Sequence, residues 1–282
     1  MGVNAGALLD WRGAKMVLNW IYGSPTWLWG TIVVGLFAAS ACSGLFFFHR
    51  LVHLETRKNH NDLTGFTIAI ISVSYAVLLA FIAVATWQSF SDAGHIVDNE
   101  ADYVESIYRD TQGLPASVGQ DIRSNTRRYV NTVIDEEWPV QQSGRTPSQG
   151  WEPLRKIHNA IVTMHPANLG EAVIQAELLK TLNDLYRARA TRLSAAGGHI
   201  PSVIWWIIFF GAALTIGYTY LFGFHDFRMH LAMTACVATS LALVIALIIA
   251  LDWPFRGEVS VSPGAFVKVQ QSWSDLSFEP AR

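Results

Sequence analysis

Charged residues are scarce in this sequence and are missing altogether from four long intervals. They make up 15% of the 282 residues, whereas soluble domains carry about 25%. No Asp, Glu, Lys or Arg lies between Lys15 and Arg50, Asp62 and Asp92, Arg192 and Asp226, or Arg228 and Asp252. Each interval leaves room for the roughly 20 apolar residues of a membrane-spanning helix. These gaps exclude a soluble single-domain enzyme and a disordered chain.

The sequence also lacks the short motifs that carry catalytic chemistry. It has no glycine-rich phosphate loop, no paired-cysteine metal site and no nucleophile elbow. Its two cysteines, Cys42 and Cys236, lie inside apolar runs, where a free thiol packs as a small hydrophobic group. The net charge of −2 provides no basic field to attract nucleic acid. We therefore predict a protein that is not an enzyme, has no cofactor and does not bind nucleic acid.

The four charge-free intervals predict four transmembrane helices in contact with the lipid bilayer. They cover approximately Pro25–Phe48, Leu63–Ser91, Pro201–Phe222 and Met229–Leu251. Between the second and the third lie roughly 110 residues of ordinary soluble composition, with apolar residues at helical spacing. Within them, Asn168 and Glu171 predict a helix start, and Pro139–Gly150 predicts a loop. The predicted fold class is an all-α integral membrane protein with a helical extramembrane domain inserted between the second and third transmembrane helices.

These boundaries divide the chain into five expected segments. They are an N-terminal interfacial segment (1–24), a first transmembrane hairpin (25–91), the helical extramembrane domain (92–200), a second transmembrane hairpin (201–252) and a C-terminal tail (253–282). In the tail, Asp252 and Arg256 flank Pro254, which prevents the helix from continuing. We expect the tail to fold back on the bundle there, with Arg256 bonded to a carboxylate or to helix-end carbonyls.

Aromatic and basic residues at the span ends predict the orientation. Seven tryptophans lie at one face, as in an interfacial aromatic belt: Trp20, Trp27, Trp29, Trp87, Trp205, Trp206 and Trp253. An even number of spans places both termini and the inserted domain on that same side. Eight Lys and Arg residues flank the spans on this side and four flank them on the other, which favours a cytoplasmic domain.

The second span carries two different faces and has no helix breaker at its exit, so we expect it to continue beyond the membrane. One face, the pore stripe, repeats every seven residues: Thr67, Ser74, Phe81 and Gln88. The other, the alanine ridge, offers small residues for close helix packing: Ala69, Ala76, Ala80 and Ala83. The stripe would line the axis of an oligomer, with Phe81 as a constriction. In the alternative interpretation the hydroxyls bond to backbone carbonyls, and Phe81 lies in the core or faces lipid.

Ionisable residues outside the spans have a bland and a functional interpretation. His49 and His53, four residues apart, would share one helical face and suit a divalent metal. We prefer a second interpretation, in which the five histidines of the short loops form a row of side chains at the lipid headgroups. These histidines are His49, His53, His60, His225 and His230. The acidic pairs Glu100/Glu105 and Glu136/Glu137 are expected on solvated helix surfaces. We therefore expect no bound metal.

Four segments of the chain resemble one known family. They are Asn61–Phe90, Asn99–Pro115, Ile200–Gly223 and Leu251–Phe266, and together they resemble bacterial bestrophin-like four-span membrane proteins from Leu51 to Phe266. The resemblance implies a bacterial plasma-membrane protein that forms a pentameric anion channel, with the second span lining the pore. The acidic calcium-binding clasp and the aromatic, proline-rich pore signature of bestrophins are absent from this sequence.

Three functions follow from these features. The leading one is a homo-oligomeric passive ion channel that conducts anions through a hydrophobic neck on the second span. The second is a non-conducting membrane scaffold whose helical domain binds a partner protein. The third is a metal-dependent membrane enzyme or sensor that uses the loop histidines.

Overall fold

The computed structural model describes residues 16–52 and 61–277, and this part of the chain is helical without any strand. A helical stretch at residues 16–23 precedes the first long helix. The helices that follow are α1 (Thr26–Leu51), α2 (Asn61–Asp110), α3 (Ala116–Asn131), α4 (Trp138–Gln142), α5 (Trp151–Val162), α6 (Leu169–Ala196), α7 (Ser202–Thr219), α8 (Phe227–Leu251) and α9 (Gly264–Ser277). The predicted all-α class is confirmed.

Four of these helices, α1, α2, α7 and α8, are long and apolar enough to cross a membrane. They match the four predicted spans, with α3 to α6 inserted between the second and the third. Helix α2 has 50 residues, far more than the roughly 20 that a bilayer requires. Its predicted continuation beyond the membrane is therefore confirmed.

The four spans form one compact unit, which among the described residues comprises 16–52, 61–89, 199–252 and 257–259. One apolar cluster joins Tyr75 and Leu79 of α2 to Ile208 of α7 and Ile245 of α8. A second cluster joins α1, α7 and α8 through Ala41, Ile216 and Ala238. Small residues at such contacts let helix backbones approach closely in the membrane.

The tryptophans of this unit are mostly exposed, as an interfacial belt requires. Trp20, Trp27, Trp87 and Trp206 each have more than two fifths of their surface exposed. Trp29 is buried, so the belt interpretation is wrong for this residue. Its ring packs inside the unit, where the apolar indole contributes to the core.

The second compact unit comprises, among the described residues, 90–198, 253–256 and 260–277. Its core is formed by apolar residues of the extension of α2 and of α3, α5 and α6, at the helical spacing seen in the sequence. Two phenylalanines that follow the last span, Phe255 and Phe266, are also fully buried in this core, and both pack edge-on against Trp138. Residues that are distant in sequence therefore complete one hydrophobic core.

Helices α3 and α4 are joined by a π-helical turn at Thr132–Glu137. The wider turn accommodates Pro139, which has no N–H to donate and whose ring would clash with the carbonyl four residues earlier in a regular α-helix. Because Pro139–Gln142 is helical, the predicted loop at Pro139–Gly150 is wrong for its first residues. The predicted start of α6 is confirmed, since the Asn168 side chain accepts a hydrogen bond from the Glu171 amide.

Candidate functional site

Helix α2 packs within the membrane unit through a face that the sequence did not single out. Thr64, Tyr75, Leu79 and Thr86 are its buried residues in this unit. At about 100° per residue, the centre of this face lies about 120° around the helix from the pore stripe. The pore stripe is correspondingly open except at Thr67, which is partly buried, and 71% of the Phe81 surface is exposed.

The hydroxyl groups of the pore stripe bond to their own helix. Thr67 Oγ1 donates to the Leu63 carbonyl at 2.9 Å, and Ser74 Oγ donates to the Ile70 carbonyl at 2.9 Å. Each oxygen keeps lone pairs that can accept a further hydrogen bond. The backbone bonding of the alternative interpretation is thus present, and the exposure of Phe81 is compatible with its lipid-facing form as well as with a pore, so the pore stripe stays a prediction.

The alanine ridge lies on the other side of the packed face. Ala69, Ala76 and Ala80 are exposed, and Ala83 is partly buried against the cluster of Tyr75 and Leu79. Helix α8, by contrast, buries Ala238 and Ala242 completely. Within the described part of a single chain, α2 therefore leaves most of the pore stripe and most of the alanine ridge open.

The helical unit contains a buried network of four charged side chains, two arginines and two glutamates, that are all fully buried. The Arg189 guanidinium donates to both Glu137 oxygens at 2.6 Å. Arg192 Nε donates to Glu100 Oε2 at 2.7 Å, and Arg192 Nη2 donates to Glu137 Oε2 at 3.1 Å. Arg192 Nη1 also donates to Gln141 Oε1 at 2.6 Å. The network joins the extension of α2, the π-helical turn, α4 and α6.

Burial and charge pairing together fix the ionisation of this network. Burial by itself raises the pKa of Glu137, but the hydrogen bonds and charges of Arg189 and Arg192 outweigh it and lower this pKa below its usual range. Burial and the neighbouring Glu100 carboxylate raise the pKa of Tyr129, whose hydroxyl donates to Glu100 at 2.5 Å. Tyr129 therefore stays a neutral donor while Glu137 stays an anion.

The loop after α4 closes on this network. The Gly150 amide donates to Glu137 Oε1 at 2.7 Å. A Cβ at this position would come within 2.6 Å of Arg189 Nη1 and 2.9 Å of Glu137 Oε1, so only glycine allows this approach. The arrangement can hold several helices in one register, because a shift of any one helix would leave a buried charge without its partner.

The predicted solvent exposure of the acidic pairs is wrong for Glu100 and Glu137, although Glu136 is exposed as expected. A signal for the network was present in the sequence. Arg189 and Arg192 continue the apolar series of α6, whose buried members are Leu178, Leu182 and Leu185. A charged residue in phase with an apolar stripe indicates a buried partner.

In the membrane unit, Asp252 of the tail motif (Asp252, Pro254 and Arg256) and the nearby Glu258 accept hydrogen bonds from amides near helix starts. Asp252 Oδ1 accepts a hydrogen bond from the Ile200 amide at 2.7 Å, next to the start of α7. Glu258 Oε2 accepts one from the Thr26 amide at 2.7 Å, where α1 begins. Burial raises the pKa of Asp252, and the Ile200 amide opposes this shift. The Thr26 amide is one of those that a helix start leaves without an intrahelical partner, whereas the Ile200 amide lies just before Pro201, the N-cap of α7.

In the helical unit the other residues of the motif are buried. Pro254 accepts a hydrogen bond from the Val261 amide through its carbonyl at 2.8 Å. The Arg256 guanidinium lies 5.2 Å from the Trp253 ring centre. The expected bond from Arg256 to a carboxylate or to helix-end carbonyls stays a prediction.

The loop histidines do not form one row. His230 is buried, and its Nε2 lies 2.8 Å from the Thr219 carbonyl oxygen, so the headgroup interpretation is wrong for it. The His49 ring packs against Phe227 at 4.9 Å, whereas His53 and His60 lie outside the described residues. Within residues 16–52 and 61–277, no group of three or more His, Cys, Asp or Glu residues is placed to hold a metal ion.

Known structures share this fold. A bacterial bestrophin homologue from Klebsiella pneumoniae, solved as a single-substitution variant, aligns with a TM-score of 0.65 at 14% identity, over 91% of this chain and 100% of that chain. The same bacterial homologue phased with zinc aligns with a TM-score of 0.63 at 15% identity, over 90% and 99% of the two chains. A structure described as a membrane protein gives 0.64 at 14% identity, over 89% and 98%.

The sequence itself points to the same family. No curated protein matches this chain. The model of the Bestrophin-like domain matches residues 35–266, which include most of α1, all of α2 to α8 and the tail motif. The chain belongs to the bestrophin-like family.

Proposed function

We propose that this protein is a homo-oligomeric passive ion channel whose pore is lined by α2. The observation that carries the proposal is the largely open pore stripe: in the described chain Ser74, Phe81 and Gln88 are exposed, and only Thr67 is partly buried. In a single chain surrounded by lipid, hydroxyl, amide and aromatic groups along one exposed face of a membrane helix would have no structural role. Around an oligomer axis, that face would supply a partly polar lining, and the alanine ridge would allow close packing of neighbouring subunits.

Phe81 would form the hydrophobic neck of such a pore. A narrow apolar ring blocks ions by dewetting, because it cannot replace the hydration shell of an ion. Ser74 and Gln88 lie about two turns before and after Phe81 on the same stripe. The neck would therefore be short, with polar groups on both sides to rehydrate the ion.

Ion flux into liposomes tests this proposal. Phe81→Ala is expected to raise flux about tenfold or more, the effect of lowering a barrier by about 1.4 kcal/mol. Phe47→Ala is the matched control, since Phe47 is similarly exposed but lies on α1. If wild type and Phe81→Ala are both silent to anions and cations in folded, inserted protein, the channel hypothesis fails.

Assembly is tested through the alanine ridge. Ala76→Leu is expected to lower the share of oligomer in mild detergent, because the larger side chain prevents close approach of subunits. Ala39→Leu makes the same change at an exposed position of α1 and should leave the oligomer intact. Mass measurement of the purified particle gives the subunit number, with five expected from the family resemblance.

The resemblance implies anions as the conducted ions, but one observation favours cations. Beyond the membrane, α2 continues the pore stripe with exposed polar and acidic residues: Asp92, His95, Asn99 and Asp102. Carboxylate rings select cations in channels. The reversal potential in a salt gradient distinguishes the two, and Asp92→Asn should shift it toward anions if these carboxylates face the ion path.

The scaffold alternative rests on an exposed apolar surface of the helical unit. Val162, Leu169 and Val173 each have more than half of their surface exposed near the turn between α5 and α6. A partner protein would cover such residues. The scaffold function would be favoured if the protein conducts no ions in the flux assay and if Leu169→Glu abolishes the binding of a partner protein.

A further inference from the structure

Tyr75 is a polar residue on the packed face of α2 that bonds to a neighbouring helix, whereas the Thr86 hydroxyl on the same face donates to the Ile82 carbonyl of α2 itself. Its hydroxyl donates a hydrogen bond to the Ile208 carbonyl of α7 at 2.5 Å and also interacts with the Ala212 amide. These two groups belong to one turn of the α7 backbone ladder. The carbonyl accepts the extra bond because it has two lone pairs.

The Tyr75 ring fits a recess that a glycine creates in α7. A Cβ added at Gly211 would overlap the ring, so the ring lies directly against the α7 backbone. Ile208 and Ala212, on either side of this recess, are fully buried. Ring and hydroxyl together therefore define one rotational setting of α2 against α7.

The remaining contacts of α2 around this point are apolar and less directional. Leu79 and Ile82 belong to the same cluster as Tyr75, and such side chains tolerate small rotations because the hydrophobic effect has no direction. A second polar link lies at the start of α2, where the Asn61 side chain bonds both the carbonyl and the amide of Gly223. Between Tyr75 and Phe81, Leu79 packs in this apolar cluster, so Tyr75 is the directional contact nearest to Phe81 that the structure shows on its N-terminal side.

We propose that Tyr75 is a positioning residue that sets the rotation of α2 and thereby directs the pore stripe. Tyr75 and Phe81 lie about 9 Å apart along the axis and about 120° apart around it. While the hydroxyl is bonded to α7, the pore stripe points away from α7. This inference rests on the proposed function for its consequence, but the rotation itself can be measured whether or not the protein conducts.

The test is a nitroxide scan of α2 over residues 72–84 in reconstituted protein. The rates at which each nitroxide collides with oxygen and with a water-soluble nickel complex vary periodically along a helix. The phase of this variation gives the rotational setting of the helix. The phase is defined whether the pore stripe faces water or lipid. Tyr75→Phe, which keeps the ring and removes the hydroxyl, should shift the phase by about 30° or more or halve its amplitude.

A matched control removes a comparable hydroxyl elsewhere. The Tyr220 hydroxyl donates to the Ala41 carbonyl at 2.8 Å, and its ring lies against Gly44, so this bond is made to α1. Tyr220→Phe should leave the phase along α2 unchanged. Gly211→Ala, which displaces the Tyr75 ring but retains the hydroxyl, should shift the phase and serves as the second variant if Tyr75→Phe does not fold.

The outcomes separate the two hypotheses. A phase and an amplitude equal to those of wild type in the folded Tyr75 or Gly211 variant would overturn the positioning role. An equal shift in Tyr220→Phe would overturn it as well, because the effect would then reflect general loosening. Silence of wild type in the flux assay would refute the channel, while the phase shift would still decide the role of Tyr75.

Discussion

Removal of one arginine from the buried network should destabilise the helical unit severely. Arg192→Met keeps much of the side-chain length but leaves the buried Glu100 carboxylate without its guanidinium partner. Gln141 loses its donor at the same time, whereas Glu137 keeps Arg189. Loss of one member of a buried ion pair costs about 3–5 kcal/mol.

Thermal unfolding in detergent, followed by tryptophan fluorescence, measures this loss. For a unit of this size, 1 kcal/mol corresponds to roughly 4 °C, so Arg192→Met should lower Tm by about 10–20 °C. Arg187→Met is the matched control, because Arg187 pairs with Asp184 on the surface and its side chain is 81% exposed. An exposed pair contributes about 0–1 kcal/mol, so this variant should melt within about 4 °C of wild type.

A double variant separates loss of the charge balance from loss of packing. Glu100→Leu combined with Arg192→Met replaces the ion pair by apolar side chains, and such replacements are often neutral or stabilising. The double variant should therefore regain a large part of the Tm that Arg192→Met loses. A Tm for Arg192→Met close to that of wild type would refute the reasoning, as would a double variant that loses the sum of both single effects.

Three further predictions concern pH, the tail and the orientation. The pKa of Glu137 is lower in the folded protein, so the Glu137 carboxylate contributes its full stabilisation above the unfolded pKa of about 4.3 and loses it as the pH falls through the folded pKa. The Tm difference between wild type and Glu137→Gln should therefore shrink from pH 7 to pH 3. A constant difference would contradict this. Burial raises the pKa of Asp252, so folding disfavours its ionised form relative to the unfolded chain. Asp252→Asn retains the acceptor for the Ile200 amide and should melt at or above the wild-type Tm, whereas Asp252→Leu should melt below it. Equal losses in both variants would contradict the assignment. With a cytoplasmic helical domain, a cysteine at Ser143 in a cysteine-free background should resist an impermeant thiol reagent on intact cells, and one at Arg228 should react; the reverse pattern would invert the orientation.

The sequence alone determined the spans and most helices of this protein. A bilayer excludes charge from any helix that crosses it, so four charge-free intervals were sufficient to locate α1, α2, α7 and α8. The continuation of α2 followed from the lack of a breaker, and the start of α6 followed from Asn168 and Glu171. These features depend on residues that are close in sequence, which is why a sequence pattern predicts them.

The pore stripe illustrates an intermediate case. Its seven-residue spacing is visible in the sequence, but the face that packs inside the subunit was not, since Tyr75, Leu79 and Thr86 are no more polar or apolar than their neighbours. Helix packing depends on shape, here the recess at Gly211. Which face of α2 packs is therefore decided by the helices it meets.

Only the tertiary structure decided where the charges of the helical unit lie. Glu100 and Glu137 look like surface acids in the sequence, because their partners Arg189 and Arg192 are more than 50 positions away along the chain. The same holds for Phe255 and Phe266, which complete a core formed largely by the inserted domain. A charge is buried only where an oppositely charged partner is present, and a ring is buried only where the surrounding residues leave space for it. In this protein both conditions are met through contacts between segments that are far apart in sequence.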